Sequence, residues 1–148
     1  EENALLKARY YAEALGVAPE DVSRRFKHNP LGLIVDGVPF VRSPQRVQGS
    51  SMLFYCGIRE GMELSLLESS DIIADTRAAL DEARMKIGPL SGVISFNCIM
   101  RIQELEQNGQ LDQYGELFSD VPTAGLGTYG EQFIGHINQT STILVFGS

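Results

Sequence analysis

Apolar residues recur at helical spacing from the first turns of the chain. Leu5, Ala8, Ala12 and Leu15 share one face, which predicts a helix over residues 3–15 with Gly16 as its stop. Pro19, Glu20 and Asp21 suit the first turn of a short second helix carrying Val22 and Phe26. The period then shortens. "GLIVDGVPFV" sets Asp36-Gly37 between two β-prone runs, and Asp-Gly supplies the positive φ angles of a tight hairpin. "SSMLFYCGI" and "GMELSLLES" predict a second hairpin turning at Glu60-Gly61. Over residues 70–87 the helical period returns, with Ile72, Thr76, Leu80, Ala83 and Ile87 on one face. Ser70 or Asp71 can cap its start, and Gly88-Pro89 ends it.

"GVISFNC" is a mostly apolar run and reads as a strand buried on both faces. It passes straight into "IMRIQELEQ", a helical composition, so Asn97, Cys98 and Arg101 stand at a strand-to-helix junction of the kind that faces ligands in α/β proteins. A short helix in "LDQYGELF", a strand near "TAGLGTYGEQ" and a last strand in "STILVFG" complete the order. Hairpins call for antiparallel pairing, while the later helices alternate with strands. The expected fold class is therefore α/β in the broad sense (α+β): a mixed, partly antiparallel sheet with helices packed on it. A chain of 148 residues suits a single domain.

Charge narrows the partners. The net charge of −7 repels phosphate backbones, so neither nucleic acid nor an anionic membrane is an expected partner. The one basic cluster, Arg24, Arg25, Lys27 and His28, reads as a solvated helix end. No apolar run is long enough to span a bilayer, and no charged-then-apolar leader opens the chain. Glu at the first position leads us to expect a piece of something longer. Cys56 and Cys98 both lie in apolar runs, which fits buried thiols in a cytoplasmic protein better than a disulfide framework. His28 and His136 are the two histidines, and nothing has the spacing of a zinc site or of covalent haem attachment.

"GLGTYG", from Gly125 to Gly130, spells the dinucleotide-binding fingerprint G-x-G-x-x-G. The fingerprint requires a helix to follow, and "EQFIGHINQTSTILVF" reads as strand instead. The glycines are expected to mark a bent strand or bulge where backbone approaches another group. Around them cluster Thr128, Tyr129, Glu131, His136, Asn138, Gln139 and Thr140. Glu131, between a glycine-rich bend and Phe133, is expected to be partly buried, and a buried carboxylate needs a cation or several donors. Arg101 is the candidate partner at a ligand site; the alternatives are a structural ion pair or two residues simply exposed at the surface. His136 fits an ordinary strand-edge histidine or a metal or haem ligand. Cys98 fits a buried, inert thiol, since only Arg101 could lower its pKa.

"VISFNCIMR", "VPTAGLGTYGEQF" and "HINQTSTILVF" together resemble the C-terminal domain of the FIST sensory module. "ARYYAEALG", "GVPFVRSPQRV" with Arg42 and "GIREGMELSLLES" agree, so the resemblance covers nearly the whole chain. Its most specific elements are Phe96, Cys98 and Arg101, and Tyr129, Gly130 and Glu131. The form is most similar to members attached to bacterial chemoreceptors. The resemblance implies an intracellular small-ligand sensor, with amino acids a suggested class. It also implies two partners, an N-terminal half of the module and a signalling output domain such as a kinase or chemoreceptor. Some similar proteins are implicated in haem-linked gas sensing.

Two readings follow. In the first, a non-enzymatic sensor holds a zwitterion: Arg101 takes a carboxylate, Glu131 takes an ammonium, and Tyr129, Asn138 and Thr140 add directional hydrogen bonds. No resident cofactor is then expected. In the second, haem is bound through His136 or Cys98. A structural half that serves dimerisation, as in a homodimer, stays open. An enzyme is not expected, because no Ser-His-Asp order, nucleophile elbow or metal cluster is legible.

Overall fold

The structure is a computed structural model and describes residues 7–148. It contains α1 (Ala8–Leu15), a 3₁₀ helix (Pro19–Arg24), β1 (Leu31–Val35), β2 (Val38–Arg42), β3 (Pro44–Gln48), β4 (Ser51–Phe54) and β5 (Ser65–Leu66). α2 (Ile72–Ile87), β6 (Leu90–Cys98), α3 (Ile99–Gln107), α4 (Leu111–Glu116), β7 (Thr123–Thr128), β8 (Glu131–Phe133), β9 (Gly135–Ile137) and β10 (Ser141–Gly147) follow. The composition of helices with mixed and antiparallel sheets is that of an α+β protein. It divides into two compact units. One holds the described residues up to Ser69 with Gly135–Asn138; the other holds Ser70–Ile134 with Gln139–Ser148.

In the first unit α1 occupies the second half of the predicted helix; residues 3–6 of that prediction lie outside the described residues. Gly16 ends it at φ 65°, as the sequence implied. Tyr11, Ala12, Val22, Phe26, Leu31 and Met52 build the core, with Tyr11 edge-on to Phe26. The first hairpin forms as predicted. Val35 faces Val38, and Asp36 and Gly37 turn the chain at φ 50° and 79°. The second hairpin does not. β4 pairs backward with β3 around Gly49-Ser50, and the run after Gly61 contributes only Ser65 and Leu66, paired to β1. Gly61 does turn the chain, at φ 83°. A turn residue reports that the chain reverses but not which strand it meets. Gly32 on β1 helps decide the partner, because a Cβ there would stand 2.6 Å from the Leu67 side chain.

In the second unit Asp71 caps α2, accepting from the amides of Ile73 and Ala74 at 2.8 and 3.0 Å. Ile72, Ile73, Thr76 and Leu80 are buried, and the apolar stripe ends there, leaving Ile87 45% exposed. β6 is the middle strand of a three-stranded mixed sheet, antiparallel to β10 and parallel to β7. The parallel pairing requires a crossover, which α3 and α4 supply. The core is Ile73, Leu80, Val93, Leu105, Phe118 and Val121. β6 is not buried on both faces as expected. Val93, Ser95 and Asn97 point inward, while Phe96 and its neighbours on β10, Leu144 and Phe146, are 36%, 51% and 45% exposed. Helices cover only one side of this sheet, so an apolar run here reflects two different environments. The glycine-rich strand also differs: β7 pairs with β6 without a bulge, from Val93–Thr123 to Cys98–Thr128.

Candidate functional site

Sheet topology brings the best-formed polar cluster together. β7 runs parallel to β6 and β10 antiparallel, so the end of β7 and the start of β10 meet at the same end of β6. There Cys98 pairs with Thr128, and Asn97 with Ser141. Glu131 opens β8 beside them and is 3% exposed. One carboxylate oxygen accepts from the Thr128 hydroxyl and the other from the Thr140 hydroxyl, at 2.8 Å in the latter case. The sequence located this buried carboxylate correctly but assigned it the wrong partner.

Arg101, in the first turn of α3, donates through Nε to Asn97 Oδ1 at 2.9 Å and through Nη2 to Thr76 Oγ1 at 3.2 Å. The expected Arg101–Glu131 ion pair is not among the ion pairs of the described residues, which include those of Arg24, Arg84 and Lys86. The reason is geometric. Four residues back along the chain, Asn97 presents an acceptor to Arg101 at helical spacing, and Thr76 on α2 presents another. This unit therefore holds a buried carboxylate and a half-buried guanidinium, each served by neutral groups.

Cys98 is 1% exposed, at the cap position of α3. Burial pushes its thiol pKa up and the Glu131 charge pushes the same way, while backbone amides of Met100, Gln139 and Arg101 partly offset this. Burial and the Glu131 charge both favour the protonated thiol over the thiolate. Tyr129 is 87% exposed and stands clear of the carboxylate's hydrogen bonds. The remaining two expected residues belong to the other unit. His136 on β9 is exposed, and its backbone carbonyl accepts from Arg42 Nη1 at 2.7 Å. Asn138 is 1% exposed, and its Oδ1 has no hydrogen-bond partner. Arg42 Nε is likewise buried without a partner, a feature that strand periodicity had no means of revealing.

A cavity of about 580 Å³ opens between β7 and the helices α3 and α4. Neither His136 nor Cys98 lines it, so the residues expected as haem ligands do not fit a haem there. Among the described residues no group of three or more His, Cys, Asp or Glu side chains could hold a metal ion. Among the described residues no helix is long and apolar enough to cross a membrane.

The FIST C domain family model matches residues 8–134. The chain belongs to the FIST C domain family. This is a family of sensory, signalling-type domains. The matched range takes in Cys98, Arg101, Thr128 and Glu131 of this FIST C domain, and stops short of Thr140 and β10. No curated protein and no solved structure gives a significant match.

Proposed function

We propose that this FIST C domain is a non-enzymatic sensory domain of a cytoplasmic bacterial signalling protein, and that its ligand is an amino acid. The ammonium group would meet the Glu131 carboxylate, and the ligand's carboxylate would meet Arg101. One observation carries the reading: Glu131 is buried to 3% exposure with two threonine hydroxyls as hydrogen-bond donors and no ion-pair partner among the described residues. A desolvated carboxylate gains most from a charged donor, and an ammonium supplies one. Arg101 supports it, since both of its side-chain hydrogen bonds go to neutral acceptors. The N-terminal half of the module and an output domain are the partners of this reading.

The test is a thermal-shift screen of the twenty amino acids against the wild-type chain and Glu131→Gln. A ligand at one hundred times its dissociation constant stabilises the fold by about 2.7 kcal/mol. One class of amino acid should raise the wild-type Tm, and the shift should vanish in Glu131→Gln while circular dichroism stays native. Equal shifts in both proteins, or none in the wild type, would overturn the reading.

A further inference from the structure

The cavity beneath β7 is lined by neither Glu131 nor Arg101. Its wall is made by an alternation in the sequence. In "TAGLGT" the residues of one face are Thr123, Gly125 and Gly127, which pair with Val93, Ser95 and Asn97 on β6. At its two glycines, where a sheet normally sends side chains toward the helices, this strand sends none. α3 approaches at one point, where a Cβ on Gly127 would meet Ile102 at 3.1 Å. At Gly125 such a Cβ would touch only Ser95, at 3.4 Å or more. The missing volume remains open between the strand and α4.

The chemistry of the wall is specific. It contains no Asp, Glu, Lys, Arg or His. Most of it is apolar, with Leu105, Leu111 and Phe118 among its residues. The Tyr114 hydroxyl in this wall is buried and has no hydrogen-bond partner. A phenol hydroxyl shielded from water normally finds an acceptor, and leaving it without one is costly. Asn97 uses its Oδ1 on Arg101, so its amide nitrogen is left as a second donor at the wall. Two donors, no charge and an apolar lining define the complement: an uncharged molecule, largely apolar, with a carbonyl-type acceptor. A volume of about 580 Å³ lies within the range of small-molecule sites.

We propose that the glycine-lined cavity between β7 and α4 is a second binding site, for a small uncharged, largely apolar compound whose carbonyl oxygen accepts from Tyr114. The glycines of the false dinucleotide fingerprint thus serve this cavity rather than a phosphate.

The probes are acetophenone, toluene and benzoate, titrated into the ¹⁵N-labelled chain and followed by amide chemical shifts. Acetophenone should perturb the amides of Gly115, Gly125 and Gly127. Toluene, lacking the acceptor, should bind about five-fold more weakly, and benzoate should bind more weakly than acetophenone because nothing in the wall neutralises it. Tyr114→Phe should weaken acetophenone to the level of toluene and leave toluene unchanged. Its Tm without ligand should be equal to or above that of the wild type, since the deleted hydroxyl makes no bond. Gly125→Val, which fills the cavity from a strand position that Val favours, should abolish both. Failure of all three probes to move those amides would overturn the proposal. So would acetophenone binding that Tyr114→Phe and Gly125→Val leave intact. The amino-acid screen reads Glu131, so either proposal can fail alone.

Discussion

Glu131 was legible as a buried carboxylate because a glycine-rich bend and Phe133 bracket it, but its partners were not. Thr128 and Thr140 reach it only because the end of β7 and the start of β10 meet at one end of β6, a fact of topology. Cys98 behaves as its apolar run implied. Its raised pKa predicts that Cys98 resists a thiol reagent such as 5,5′-dithiobis(2-nitrobenzoate) at pH 7.5 and reacts within seconds once urea unfolds the chain. Rapid native-state labelling would contradict this. Tyr11 gives a pH prediction with a definite sign. Its hydroxyl donates to the Asn29 carbonyl at 2.7 Å, and burial pushes its pKa from 10.0 up to about 12. Below pH 10 both states hold the proton and the contribution is fully present. Between pH 10 and 12 the unfolded phenol ionises while the folded one does not, so stability falls as pH rises, by about 2–3 kcal/mol at most. Urea midpoints taken from pH 8 to 12 should show this slope, and Tyr11→Phe should flatten it above pH 10.

Elements were read best where a local signal sets both their type and their end. α2 begins where Asp71 can cap it and ends at Gly88; β6 passes into α3 at Cys98; Asp36-Gly37 turns the first hairpin. Each is decided by residues within a few positions, so sequence suffices. Asp71→Ala should accordingly cost about 1 kcal/mol in urea denaturation, because two amides lose their acceptor. Gly37→Ala should cost a similar amount, about 1 kcal/mol, because Ala resists a φ of 79°. A loss below a few tenths at either position would contradict the local account. The second hairpin failed for the converse reason. The choice between β3 and the run after Gly61 as partner of β4 rests on contacts with distant strands, and both alternatives carry suitable turn glycines at Gly49 and Gly61.

At the scale of the molecule, each unit has its own core: Tyr11, Val22, Phe26 and Met52 in one, Ile73, Leu80, Val93 and Leu105 in the other. Val22 and Ile73 belong to different core clusters, and substitutions without shared partners add. Val22→Ala should cost about 2 kcal/mol and Ile73→Val about 1 kcal/mol, and the double variant should lose the sum to within about 0.5 kcal/mol. A larger discrepancy in denaturant titrations would show the two cores to be coupled. By itself the sequence determined the kinds of element, most of their ends, the burial of Glu131 and Cys98, and the family, since these depend on spacing and local chemistry. The tertiary structure alone decided three things: which strands pair, that Arg101 turns to Asn97 and Thr76 rather than to Glu131, and that the glycines of β7 face a cavity. Those outcomes are set by which elements the chain brings side by side, and no local pattern encodes the distance between residues far apart in sequence.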